Sequence, residues 1–335
     1  GRHGTGPCRR PRVRNRGRRI RLKSGLTQPP VTLFVEDFHA LAAALPSDRR
    51  FPILERILSR GQRTRLSTES PNHIRYELLG AGKTAEPAVA ALCQVADLGH
   101  AGEEGVYWLR ADPVTLRADM SRVFLLSCGL ADYQGEEWDG LDRLVRDTLK
   151  RDGLELRRSE NGYWLLSLAE HPGFVFTPLH EALGRDMADT VPDHPGATAW
   201  KKRMTDIQVE LHQAGFNKRR RDTGQQEINS IWFWGGGVTP EVKRAEFSNV
   251  VTGDPVSRGL ALLAGSEVSG QSDFAGMEVP AFIDWLTRTS DPVREAEVLE
   301  QAAGTLLRST AAHRHGVRLV AGDGQAWSFG SYRRF

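Results

Sequence analysis

Asn229-Ser230-Ile231-Trp232-Phe233-Trp234-Gly235-Gly236-Gly237-Val238-Thr239-Pro240 is the stretch on which the fold turns. In extended form it puts Trp232 and Trp234 on one face and Ile231 and Phe233 on the other, so both faces need cover. That pattern predicts a central strand. The three glycines that follow permit close backbone approach, and Thr239 with Pro240 reads as a helix N-cap and first helical residue. A glycine loop between strand and helix can aim N–H groups at a phosphate, or it can be a packing turn at the end of a buried strand. It is not a Walker A loop, since no Gly-Lys-Ser/Thr follows, nor is it GxGxxG.

Upstream, Ala197 to Asn217 reads as one helix, with Trp200, Met204, Ile207, Leu211 and Ala214 on a single stripe. Lys201, Thr205, Gln208 and His212 form a second row, read either as a solvated flank or as a ligand set. Asn217-Lys218-Arg219-Arg220-Arg221 places four cations at the negative helix end, where they suit the dipole or could bind an anion.

Farther out, Val31–Val35 is a β-rich run, and helical spacing covers Phe38 to Leu45, Phe51 to Leu58, Pro87 to Leu98 and Gly135 to Lys150. Strands at Val106–Leu109 and Val123–Leu126 bracket a polar turn around Asp112-Pro113. Asn161-Gly162 and Asp323-Gly324 predict hairpins, because both pairs tolerate a tight reversal. A final helix is expected from Pro292 to about His313. Alternation of strands and helices predicts an α/β protein, a mixed sheet with helices on both faces.

The net charge of +3 hides a segregation. Residues 1–24 hold ten of the 45 Lys and Arg and no acid, leaving 35 basic against 42 acidic residues in the body, a net −7. Gly, Pro and Arg without an apolar face predict a disordered basic arm. It is read as an extension outside the native fold, the alternative being a nucleic-acid contact through residues 1–24 alone. Residues 25–335 are expected to form one α/β domain, with sub-domains 25–190 and 191–335 as the alternative. Cys8, Cys93 and Cys128 are widely spaced and contain no CxxC pair, which predicts reduced thiols and a cytoplasmic protein. The apolar runs are too short to cross a bilayer.

The middle of the chain resembles the bacterial RpfE-type regulatory proteins, a family labelled cofactor-independent phosphoglycerate mutase-like. The likeness runs through residues 109–119, Gly162-Tyr163-Trp164-Leu165, Gly184 and Val191-Pro192, then Trp200, Asp206-Ile207-Gln208, His212, Asn217, Arg220 and Gly224. It is most specific at Ile228 to Gly237 and covers roughly residues 30–335. The family carries His where Thr115 stands and Glu where Arg221 stands, so no role is carried onto those two side chains. The mutase label implies a degenerate alkaline-phosphatase-like fold; in working mutases two divalent metals are held by Asp and His beside a Ser or Thr nucleophile.

That constellation is not legible in the sequence. After the first strand stand only Glu36-Asp37 and His39, without an Asp-Gly pair, and His313-Arg314-His315 is the one close histidine pair. There is no HExxH and no GxSxG. The expectation is a non-catalytic, regulatory or anionic-ligand-sensing protein with no cofactor and no metal. A phosphorylated or anionic small molecule is expected near Gly235, Gly236 and Gly237, with Asn217, Arg220 and Asn229 as polar contacts and Gln208 and His212 bordering the cleft. The alternative is a metal-dependent mutase or phosphatase.

Overall fold

The computed structural model describes residues 29–68, 70–128, 133–191, 193–243, 246–270, 281–286, 290–309, 312 and 315–330. Strand β1 (Val31–Val35) is buried at every position. Val31, Leu33 and Val35 enter one core, and Phe34 enters another. A strand apolar on both faces belongs inside a sheet that helices cover twice.

The other strands, in chain order, are β2 (Gln62–Arg65), β3 (Tyr107–Asp119), β4 (Arg122–Cys128), β5 (Glu155–Arg158), β6 (Trp164–Leu168), β7 (Ser230–Gly237), β8 (Asn249–Thr252), β9 (Glu267–Ser269), β10 (Ala281–Trp285), β11 (Val317–Ala321) and β12 (Gln325–Phe329). The helices are α1 (Phe38–Ala43), α2 (Pro52–Arg60), α3 (Pro71–Leu78), α4 (Val89–Leu98), α5 (Glu136–Arg151), α6 (Leu179–Ala182), α7 (Met187–Thr190), α8 (Ala197–Gln213), α9 (Gly215–Asp222), α10 (Pro255–Ala264) and α11 (Pro292–Arg308).

Seven strands make a mixed sheet in the order β2-β12-β11-β1-β10-β8-β9. It is parallel from β11 to β9 and antiparallel at β12 and β2. The second sheet is antiparallel and is built on β3, which pairs with β4, β6 and β7, while β5 pairs with β6. The α/β class with helices on both faces is therefore present, in two sheets rather than one. Helices α1, α2 and α11 share a core with one face of the first sheet. Helices α4 and α10 lie between the sheets, and α5 and α8 cover the far face of the second.

Helix α4 is apolar almost all round, which suits a helix enclosed on every side. It stops at Gly99, whose φ of +78° is the left-handed cap that glycine adopts without strain. The hairpins at Asn161-Gly162 and Asp323-Gly324 form as expected, with Gly162 and Gly324 at φ of +82° and +80°.

Three expectations are corrected. There is no turn at Asp112-Pro113; β3 runs through it. Val114 O accepts from Asn229 N, so Pro113's own backbone groups face the opposite edge. On that edge Pro113 falls between the β6 ladder, which ends at Arg110, and the β4 ladder, which begins at Val114. Its missing N–H thus costs no ladder bond. Second, Ala197 to Asn217 is not one helix: α8 ends at Gln213, Ala214 is extended at ψ 130°, and Asn217 and the cations belong to α9. The Asn217 amide donates to Leu211 O at 3.1 Å and so occupies a terminal carbonyl of α8. Third, α11 ends at Arg308. The basic arm, Cys8 and His313-Arg314 lie outside the described residues.

No helix among the described residues is long and apolar enough to cross a membrane.

Helices α4 and α10 touch through Gly259, where an added Cβ would lie 2.5 Å from Leu92 O. Gly259→Ala is expected to push the helices apart and lower stability by roughly 1–3 kcal/mol, read from denaturant unfolding midpoints. An unchanged midpoint would show that this contact is not tight.

Candidate functional site

The register of β7 on β3 sets Trp234 opposite Arg110 and Trp232 opposite Asp112, so these four share a face. Arg110 and Asp112 form an ion pair of 2.6 Å, the Trp234 indole N–H donates to Asp112, and the guanidinium lies 4.0 Å from the Tyr163 ring centroid. The opposite face carries Phe233, which meets Trp200 of α8 at 5.0 Å. Both faces of β7 are covered, as the sequence predicts.

The glycines do not form a loop. β7 continues to Gly237, and residues 238–243 are irregular, so no helix starts at Thr239-Pro240. Each glycine instead admits a neighbour. A Cβ at Gly235, whose φ is +64°, would lie 2.9 Å from Val89 Cβ; one at Gly236 would strike the Tyr107 hydroxyl, and one at Gly237 the Cβ of Ala88. Small residues let the N-terminus of α4 rest directly on the strand. The Gly236 N–H, a donor expected for a phosphate, is given to Glu86 Oε1 at 3.1 Å.

The other predicted residues divide into two groups. Asn217 is fully buried; its amide bridges Leu211 O and Ile228 O and accepts from the Tyr133 hydroxyl at 2.6 Å. Arg220, also buried, bonds Glu137 at 2.8 Å and Gln226 O at 2.7 Å and stacks over Tyr133. These two pin the segment that enters β7 and do not face the glycines. Gln208, His212 and Asn229 do come together, in a groove of about 420 Å³ with Leu116, Val123 and Thr205. Gln208 donates to Ser230 Oγ at 3.1 Å, His212 is exposed, and both ends of the Asn229 amide are taken by the Leu116 backbone.

Beside Gly236 and Gly237 lies a larger cleft, of about 520 Å³, walled by Tyr76, Glu86, Tyr107 and His171. Burial pushes the Glu86 carboxyl up to about 7, against the Gly236 N–H, which lowers it. Tyr107 is buried and its hydroxyl has no hydrogen-bond partner among the described residues. Its ring meets the His171 ring edge-on at 5.1 Å.

A third cluster sits at the C-terminal ends of the parallel strands, the usual place for an α/β active site. Glu36 follows β1, Asp254 follows β8, and Asp284 lies in β10. All three face Arg75 of α3, which is only 2% exposed: Nη2 reaches Glu36 at 2.7 Å, and Nε reaches Asp284 at 2.8 Å and Asp254 at 3.3 Å. Nη1 donates to Asn72 at 3.3 Å, and Ser257 Oγ donates to Asp284. Burial opposes the guanidinium charge, but the three carboxylates more than offset it and hold its pKa well above the ordinary value. Asp254, raised by burial, with Asp284 and Glu36 adding to the effect, reaches about 6 despite Arg75. No group of three or more His, Cys, Asp and Glu spaced to hold a metal ion occurs among the described residues.

Sequence reasoning missed Arg75, Asp254, Asp284, Glu86 and Tyr107. The one available signal was Asp254-Pro255, a helix N-cap and first residue after an apolar run.

The Glu86 carboxyl makes the stability of the fold depend on pH. The folded state holds this proton above the ordinary carboxyl value of 4.5, so ionising Glu86 destabilises the fold increasingly from about pH 4.5 to about pH 7 and by a constant amount beyond. Glu86→Gln keeps an acceptor for Gly236 N–H and removes the charge. Allowing for solvent screening of a partly exposed group, it is expected to gain on the order of 1–2 kcal/mol above neutrality and nothing at low pH. Unfolding midpoints at the two pH extremes check this, and a gain independent of pH contradicts it.

No family model matches the chain. A stretch of 101 residues, 29% of this chain, is 29% identical to the probable 2,3-bisphosphoglycerate-independent phosphoglycerate mutase of Geobacter sulfurreducens and spans 25% of that relative's length. Among solved structures, the cofactor-independent phosphoglycerate mutase of Thermoplasma acidophilum is 15% identical with a TM-score of 0.42, over 92% of this chain and 91% of that one. The PH0037 protein of Pyrococcus horikoshii is 14% identical with a TM-score of 0.47, over 92% and 89%. This chain is thus distantly similar in sequence to a bisphosphoglycerate-independent phosphoglycerate mutase, along less than a third of its length.

Proposed function

We propose that this chain is a phosphoglycerate mutase-like protein, of the RpfE-type regulatory kind, that senses an anionic or phosphorylated small molecule and does not carry out metal-dependent catalysis. The observation that supports this most is the Arg75 guanidinium set among Glu36, Asp254 and Asp284. The mutase likeness implies two divalent ions held by Asp and His, and the residues here do not fit them. The strand-end carboxylates already share a fixed organic cation, whose remaining partner is an amide and not an imidazole. A divalent ion about 4 Å from that guanidinium would meet a repulsion of roughly 8 kcal/mol at an effective dielectric of 20.

The anion is assigned to the groove of Gln208, His212 and Asn229, which continues past Thr205 toward Lys201. Amide, imidazole, hydroxyl and ammonium groups there suit a phosphate or carboxylate, and the carboxylate that also lines the groove, Glu227, is neutralised by its ion pair with Arg221. The regulatory role is supported by the sequence resemblance of the middle of the chain.

Purified protein supplied with Mn²⁺ or Zn²⁺ is expected to retain substoichiometric metal and to leave 3-phosphoglycerate unchanged. It should bind 3-phosphoglycerate or inorganic phosphate more weakly once Lys201 and His212 are replaced by Ala. Stoichiometric metal together with chelator-sensitive turnover would sink the proposal. Arg75→Met, which strands three carboxylates without a counter-ion, is expected to cost about 3–5 kcal/mol of stability.

A further inference from the structure

The cleft beside Gly236 has a chemistry opposite to the anion site expected near the glycines. Its volume of about 520 Å³ is in the range of small-molecule sites. Its charged lining residues are Glu86 and Glu170, and among the described residues neither Lys nor Arg lines it. Tyr76, Tyr107 and His171 supply aromatic wall, with Val175 and Pro240 as apolar wall.

Two groups in the cleft lack what ordinary packing would give them. Tyr107 is 6% exposed, yet its hydroxyl has no hydrogen-bond partner among the described residues. A phenylalanine would fill the same space without leaving a polar atom unsatisfied. Glu86 spends one oxygen on the Gly236 N–H and has no cation paired to it among the described residues. Both groups meet at Gly236, whose missing Cβ gives the Tyr107 hydroxyl its place. His171 Nδ1 accepts from Gly173 N at 2.9 Å, which makes Nε2 the protonated nitrogen of the neutral ring. A carboxylate with no cation, a hydroxyl that can accept as well as donate, and aromatic walls with neither Lys nor Arg beside them favour a cation with a hydrophobic body over an anion.

We propose that this cleft binds a small organic ammonium, a primary amine on an apolar or aromatic body, through the Glu86 carboxylate and the Tyr107 hydroxyl. The ammonium donates to the free oxygen of Glu86, its body lies against the Tyr76, Val175 and Pro240 side, and a small shift of the Tyr107 side chain off Gly236 brings its buried hydroxyl oxygen to the same ammonium. The site lies apart from the groove of Gln208 and His212, so either can fail without the other.

The test uses three probes of matched shape on the full chain: 2-phenylethylamine, 2-phenylethanol and 3-phenylpropionate, titrated by calorimetry at about pH 8, where Glu86 is ionised. The amine is expected to bind saturably and the carboxylate not to bind. Glu86→Gln should weaken the amine about tenfold or more, as loss of a charge-assisted bond does. Tyr107→Phe should weaken it severalfold while the unfolding midpoint stays level or rises, an outcome that a purely structural tyrosine would not give. The proposal is overturned by any of three results: no saturation with the amine up to about 20 mM, equal binding of amine and carboxylate, or unchanged amine affinity in Glu86→Gln.

Discussion

One buried cation organises the centre of this protein. Arg75 reaches from α3 to the ends of β1, β8 and β10, and its planar fork meets carboxylates that come from positions far apart in sequence. Without it, Glu36, Asp254 and Asp284 would converge as like charges in a low-dielectric interior, which is costly enough to force protonation or unfolding. With it, the ends of three parallel strands are neutralised together, and Ser257, by donating to Asp284, fixes the first turn of α10 to the same point. The ion cluster is therefore also what seats the layer of helices between the two sheets.

That middle layer explains the glycines. Helix α4 is clasped between α10 and the β3–β7 pair, and both contacts are backbone-close: Gly259 on one side, Gly235 to Gly237 on the other. A residue pattern that looks like a phosphate loop is, in three dimensions, the price of packing a helix flat on a strand. The same closeness carries Glu86, three residues before α4, onto the Gly236 N–H, and so places an acid where an anion was expected.

Much of the architecture was legible because it depends on neighbours in sequence. The hairpins at Asn161-Gly162 and Asp323-Gly324, the apolar stripe of α8 and the all-round burial of β7 follow from local turn chemistry and periodicity. Pro113 misled because its tolerance depends on a gap between two other strands, which no local pattern reveals. Asn217 misled differently: its amide ends one helix and anchors the approach to β7, a tertiary role that resembles a ligand contact when read as a motif. The Arg75 cluster was illegible for a plainer reason, since Arg75 and Asp284 stand 209 residues apart. Of the eight residues singled out for the site, Gln208, His212 and Asn229 meet in one groove, Asn217 and Arg220 gather at Tyr133, and Gly235 to Gly237 pack under Tyr107 and the start of α4.

The topology also orders events at the ribosome. Among the described residues β1 pairs with β10 and β11, the nearer of which lies about 250 residues downstream. The antiparallel sheet, by contrast, has all its strands once Gly237 is made. During translation a strand that ends up buried at every position must wait, unpaired on both edges, while the neighbouring sheet assembles after it. Its early shelter has to come from chaperones or from α1 and α2 folding against it.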